Sequence, residues 1–239
     1  MKNTTNVLGL GFAITMAVLT FFSSLVWLGP TDAFGQATSK VLLIPREGYS
    51  QDLDLMIKME VGVMTKLLNN AGFTVDIATS SGSPITGPTQ KIENVKRLAE
   101  VNMDEYVGVM LPCMAVGLFP GPPVAPEAVL VVQKTLASGK PVAAALGSVN
   151  VLAEAGVLKG KKYSYIRDPL KPDADSRGPD ARFVGALYVS PGVTQDGQII
   201  TCGVCPSTEK VYNWGMDPFG TPGAAVALTG MFIAAIGSK

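Results

Sequence analysis

The stretch "GKPVAAALGSVNVLAEAGVLKGKK", Gly139 to Lys162, reads as a buried strand, a sharp turn and a helix. "PVAAAL" is continuously apolar, as strands covered on both faces are. The helix runs from Val149 to Ala155 and stops at Gly156, and Ser148, just ahead of it, is expected to act as its N-terminal cap. In α/β enzymes such a turn often carries a nucleophile. Here it holds Leu146, Gly147 and Ser148, and the Ser148 hydroxyl would need a general base that a chain without histidine cannot give it.

Outward from this turn, short apolar runs alternate with helical patterns, the mark of βαβ units and a parallel sheet. "KVLLIP" (Lys40 to Pro45), "FTVDIAT" (Phe73 to Thr79) and "EYVGVMLP" (Glu105 to Pro112) are strands, with a helix from about Asp52 to Ala71 and another from Glu127 to Ser138. Lys91 to Val101 reads as a surface helix. "FVGALYVS" and "GQIITCGV" read as strands joined through a turn at Asp196 and Gly197, and Gly223 to Ile236 as a final apolar helix too short to span a membrane. The expected architecture is an α/β three-layer sandwich around a mostly parallel sheet. Ligands gather at the carboxyl ends of such strands, here Pro45 to Tyr49, Pro112 to Val116, Leu146 to Ser148 and Cys202 to Cys205.

The 239 residues, 47% of them hydrophobic, suit one domain with a sizeable core. Residues 1–37 read as a targeting segment: Lys2, an uncharged apolar run from Val7 to Leu28, and small residues in "AFGQA" placed for cleavage after Ala37. A run of about 20 apolar residues also suffices to cross a bilayer, so membrane anchoring through residues 7–28 is the alternative. Either way the domain, residues 38–239, is expected outside the cytoplasm, periplasmic or extracellular. Losing the leader removes one base, Lys2, and one acid, Asp32, and leaves the domain neutral. That offers no surface for nucleic acid.

The absence of histidine excludes Ser/His/Asp and Cys/His catalysis, His-ligated zinc and haem attached through C-x-x-C-H. The cysteines are Cys113, Cys202 and Cys205. "CGVC" admits a local disulfide or, less readily because it ends a strand rather than opening a helix, a redox dithiol. Three thiolates for a soft metal form an incomplete set without a fourth ligand, so neither metal nor cofactor is expected. Flavin is disfavoured because the turn "PREGYSQDLD" lacks a phosphate cradle rich in glycine and hydroxyls.

Glu60 falls on a helical stripe with Met56, Ile57, Val63, Met64 and Leu67. A carboxyl group there is desolvated, either holding buried backbone N–H groups or tuned as an acid or base. Cys113 ends a core strand where the sheet opens, as a small buried apolar residue or as a thiol activated by the elbow helix N-terminus. Tyr212, Trp214 and Phe219, in "STEKVYNWGMDPFGTPG" (Ser207 to Gly223), suit a lid, an interface or plain packing.

With these residues in view, the chain resembles the ThiJ/PfpI superfamily over residues 40–238. The resemblance rests on "VAAAL", "LAEAGVLKGKK", the strand end "MLP" and "DLDLMIKMEVGVMTKLLNNAGFTVDIAT". It implies a flavodoxin-like fold related to class I glutamine amidotransferase domains, and a homo-oligomer. It also implies an elbow cysteine often followed by histidine, a glutamate from the first helix, and backbone N–H groups of a Gly-Gly pair after the third strand. The cysteine position falls on Leu146, the histidine on Gly147, the glutamate on Glu60 and the glycine pair on Cys113 and Met114. The expectation is therefore an exported small-molecule-binding or assembly protein without the standard chemistry. Its pocket would use Glu60, Cys113, Met114, Leu146, Gly147, Ser148, Cys202 and Cys205. The alternative is a thiol-dependent hydrolase or glyoxalase-like enzyme, with Cys113 as nucleophile and Glu60 moving a proton.

Overall fold

Successive residues of the first strand point to opposite faces of a sheet, and both faces are dry. Val41 and Leu43 enter one apolar cluster and Leu42 and Ile44 another, all of them buried. The computed structural model describes residues 39–47, 53–113, 124–171, 178–206 and 223–237. They belong to one contact unit, Ala37–Lys239. Residues 1–38, residues 48–52, Met114, Tyr212, Trp214 and Phe219 lie outside the described residues.

The elements in chain order are β1 (Lys40–Leu43), α1 (Leu53–Met56), α2 (Gly62–Asn70), β2 (Thr74–Thr79), β3 (Ile85–Thr86), β4 (Lys91–Ile92), β5 (Lys96–Arg97) and β6 (Tyr106–Leu111). They continue with α3 (Pro126–Ala137), β7 (Val142–Ala145), α4 (Val149–Glu154), β8 (Lys162–Tyr163), β9 (Leu187–Tyr188), β10 (Val193–Asp196), β11 (Ile199–Cys202) and α5 (Gly223–Gly237). Seven strands form the main sheet in the order β10-β11-β7-β6-β1-β2-β5. Every neighbouring pair is parallel except β10 with β11 at one edge. Within it, β2-β1-β6-β7-β11 reproduces the flavodoxin-like order. The α/β three-layer sandwich with a mostly parallel sheet is therefore the fold of this chain.

The period-2 alternation of each strand divides the core. Val41, Leu43, Met110, Ala143, Ala145, Ile200 and Cys202 pack against Met56, Met64 and Leu68 of the first helical segment and against Leu228 and Phe232 of α5. Leu42, Val109, Leu111, Val142, Ala144 and Ile199 pack against Val131 and Val132 of α3 and Val149 and Leu152 of α4. At Gly108 a Cβ would meet the Phe232 ring at 2.7 Å. The missing side chain lets α5 lie close on β6. Among the described residues no helix is long and apolar enough to cross a membrane.

Three expectations are corrected. Lys91 to Val101 is not a surface helix: Lys96–Arg97 extends the main sheet beside Ala78–Thr79, Lys91–Ile92 pairs with β3, and only Leu98–Glu100 makes a single 3₁₀ turn. Pairing with a free sheet edge satisfies more backbone groups than an isolated polar helix of this length would. "FVGALYVS" supplies only the two-residue β9, which pairs with β8 in parallel outside the main sheet. The partner of "IITC" across the Gly197 turn is instead Val193–Asp196. The first helix is interrupted: over Ile57–Val61 it widens to a π-turn, with the Gly62 N–H donating to the Ile57 carbonyl five residues back.

Candidate functional site

From β1 the chain crosses to β2 on one side of the sheet, and from β6 it crosses to β7 on the other. The carboxyl ends of β1 and β6 thus flank the topological switch point, where open sheets leave a crevice. Cys113 lies two residues past β6, at that point. Glu60 reaches it from the π-turn, a distortion that recurs in helices at functional sites. The carboxylate Oε2 accepts the Cys113 backbone N–H at 2.8 Å, and both residues are buried.

Cys205, three residues past β11, completes the group. One carboxylate oxygen of Glu60 and the sulfurs of Cys113 and Cys205 all lie within 4.8 Å of one another. Cys202 turns elsewhere and donates its S–H to the Val204 carbonyl at 3.3 Å. None of the three cysteines is joined in a disulfide. The expected local disulfide of "CGVC" is thus not formed, and only one sulfur of that motif joins the three-atom group. The intervening Gly203 permits this, because a Cβ there would overlap the carbonyls of Tyr165 and Pro191.

The Cys113 thiol is pushed well above its ordinary pKa. The hydrogen bond with Cys205 is the leading cause, followed by burial and the nearby Glu60 charge. A hydrogen bond from the Gly147 backbone N–H opposes them but is outweighed. The elbow helix N-terminus therefore does not turn Cys113 into a poised thiolate.

The elbow keeps its shape without a reactive atom. Leu146 adopts φ +40°, the only left-handed non-glycine among the described residues, and its side chain is buried. Such a conformation costs a branched residue about 1–2 kcal/mol and persists only where its surroundings enforce it. Ser148 is not a cap, which corrects the sequence expectation. It already has helical backbone angles, because a 3₁₀ turn over Leu146–Ser148 starts the helix early, and its side chain makes no capping bond. Its hydroxyl instead donates to the Pro112 carbonyl and ties the elbow to the end of β6.

A second set of polar residues holds the elbow from behind. Asn150 Nδ2 donates to the Gly147 carbonyl at 2.9 Å and to the Tyr165 hydroxyl at 2.9 Å, while its Oδ1 accepts from Arg182 Nη2 at 3.0 Å. Arg182 is gripped in turn by Asp180 through its Nε and Nη2. Burial pushes the Tyr165 phenol up to about 12. Sequence reasoning passed over these residues. Asp180 and Arg182 sit in the polar run "KPDADSRGPDAR", whose composition announces a loop and not an inward-facing ion pair.

The structure thus brings Glu60, Cys113, Cys205, Leu146, Gly147 and Ser148 to one end of the sheet, leaves Cys202 outside the three-atom group, and does not describe Met114.

A family model described as the DJ-1/PfpI family matches residues 50–210. A deglycase from Thermococcus kodakarensis is 29% identical over 173 residues, which span 68% of this chain and 88% of that protein. An uncharacterized protein from Methanocaldococcus jannaschii is 28% identical over 164 residues, 68% of this chain and 74% of its own. Among solved structures, a ThiJ/PfpI domain protein from Brachyspira murdochii superposes with a TM-score of 0.60 at 16% identity, covering 84% of this chain and 98% of that one. The 24 kDa rapid encystment protein of Francisella tularensis superposes with a TM-score of 0.55 at 14% identity, covering 83% and 99%. At these identities the two structures speak to the fold alone.

Proposed function

The chain belongs to the DJ-1/PfpI family, and on that premise we propose that it is a ligand-binding member in which elbow-cysteine chemistry is silent. The observation that carries this reading is Leu146. A buried hydrocarbon occupies the strained elbow where the family resemblance calls for a thiol. No histidine exists to assist any other nucleophile. Ser148, the one hydroxyl at the turn, is spent on the Pro112 carbonyl.

The alternative, Cys113 as a relocated nucleophile, requires a thiolate. Its hydrogen bond with Cys205, its burial and the Glu60 carboxylate all favour the protonated thiol. What remains is a buried, hydrogen-bonded group at the switch point, an arrangement suited to holding a small ligand. The reading includes export directed by residues 1–37, which mass measurement of the mature N-terminus checks, and self-association, which light scattering checks.

The T. kodakarensis relative is named a deglycase, so the decisive assay sets the two proteins side by side. Purified full-length chain is given an α-oxoaldehyde and a glycated thiol. The expected result is no turnover above buffer. Turnover that disappears in Cys113→Ser would overturn the binding reading in favour of a thiol-dependent enzyme.

A further inference from the structure

We propose that Glu60, Cys113 and Cys205 form a site for one thiophilic divalent cation of the zinc class. The inference deepens the ligand-binding reading and rests on it.

Three segments far apart in the chain converge on the group: the π-turn after α1, the residue pair after β6 and the loop after β11. Each contributes one donor atom, and the three donors are mutually within 4.8 Å. In a tetrahedral zinc site with Zn–S of about 2.3 Å, two sulfurs stand about 3.7 Å apart and a carboxylate oxygen slightly closer to each. Each donor pair needs to close by no more than about 1.3 Å to reach coordinated spacing. Two sulfurs and one carboxylate oxygen select zinc-like ions over magnesium or calcium, which require oxygen ligands throughout.

The sequence weighed three sulfurs and found the set one ligand short. The fold assembles a different set, in which Glu60 replaces Cys202. Two hydrogen bonds brace the ligands from outside. The Cys113 N–H donates to the Glu60 carboxylate, and the Gly147 N–H donates to the Cys113 sulfur, contacts of the kind that orient metal ligands from outside the coordination sphere. The balance of binding is simple: the cation forms two M–S bonds and one M–O bond, and the two thiol protons leave to solvent. Binding therefore tightens as pH rises. Three protein ligands leave a tetrahedral ion one position for water or a small molecule.

The test uses the full chain, reduced with a phosphine and stripped with a chelator, then titrated with cobalt(II) as the spectroscopic probe. Expected are one cobalt per chain, a thiolate-to-cobalt charge-transfer band in the near ultraviolet, intense visible bands of a tetrahedral ion, and displacement of all of them by zinc. Cys113→Ser and Cys205→Ser should each weaken binding by more than about 100-fold, since even outer-shell changes cost about 10–100-fold. Glu60→Gln, which still accepts the Cys113 N–H, should weaken it about 10-fold or more, and Cys202→Ser should leave it unchanged. Absence of the charge-transfer band in the native protein, or its loss in Cys202→Ser with retention in Cys205→Ser, would overturn the proposal. Neither result touches the elbow reading, which falls only if turnover is found.

Discussion

Glu60 and Cys113 stand 53 positions apart in the chain and are joined by a buried 2.8 Å hydrogen bond, backbone N–H to carboxylate oxygen. The bond fastens the first helix to the carboxyl end of β6. Replacing Glu60 by leucine leaves the Cys113 N–H buried with its acceptor gone, which costs about 1–3 kcal/mol. Glu60→Gln keeps an acceptor and should cost less than about 1 kcal/mol. Urea denaturation of the two variants checks the order. Equal losses would show that the bond itself contributes nothing.

The Cys113 thiol gives the fold a dependence on alkaline pH. Its pKa is raised in the native state, so its stabilising contribution is complete below the ordinary thiol value of 9.0 and declines as pH climbs above it toward the native value. Across that range the unfolded chain releases the proton more readily than the native one. The wild type should therefore lose melting temperature above about pH 9 more steeply than Cys113→Ala. Iodoacetamide should also alkylate native Cys113 no faster than the denatured chain at neutral pH.

Leu146 allows strain and packing to be separated. Leu146→Ala keeps the left-handed backbone and empties a buried site, for a loss of about 2–5 kcal/mol. Leu146→Gly empties the same site but relaxes the backbone, because glycine adopts positive φ freely. Glycine, ordinarily about 0.5–1 kcal/mol worse than alanine, should here be no worse. Thermal melts of the two variants decide it, and a glycine variant clearly less stable than the alanine one would mean that the elbow is not strained.

Asn150 and Arg182 form the brace behind the elbow, and their effects should not add. Asn150→Ala and Arg182→Met each break the 3.0 Å bond between them, so a double-mutant cycle should return a coupling of about 0.5–3 kcal/mol. Burial would raise the Asp180 carboxyl, but the hydrogen bonds from Arg182 outweigh it and hold the group below its ordinary range. Its contribution is therefore present above the unfolded carboxylate pKa and is lost as pH falls through the lower native value. In Arg182→Met the acid limb of the stability profile should flatten. An unchanged limb would remove the brace from the account.

Much of the fold was written in the alternation of apolar residues. "VAAAL" and "KVLLIP" are apolar on both faces because both faces are covered, and the elbow announced itself by a strand running straight into a helix. Glu60 was legible as a charge on an apolar stripe. The choice between Cys202 and Cys205 was not, since both are buried and C-x-x-C spacing carries no statement of which sulfur meets Glu60 and Cys113. That choice is made by the tight passage of Gly203 past Tyr165 and Pro191. Lys91 to Val101 misled because a short polar edge strand has no periodicity of its own and takes its form from the neighbour it pairs with. Ser148 misled because its partner, the Pro112 carbonyl, arrives from 36 residues away.

The π-turn at Ile57–Val61 makes this helix sensitive to length as well as to composition. It holds one residue more than an α-helical turn would, and deleting one of its four residues other than Glu60 would let the turn close to regular α pitch and redirect the side chains within it. Glu60, which lies inside the turn, would then swing away from Cys113 while Met64 and Leu68 keep their places in the core. Point substitutions on the outer face should be absorbed easily, whereas a single-codon deletion here should uncouple the carboxylate from the sheet while leaving every other side chain of the site in the sequence.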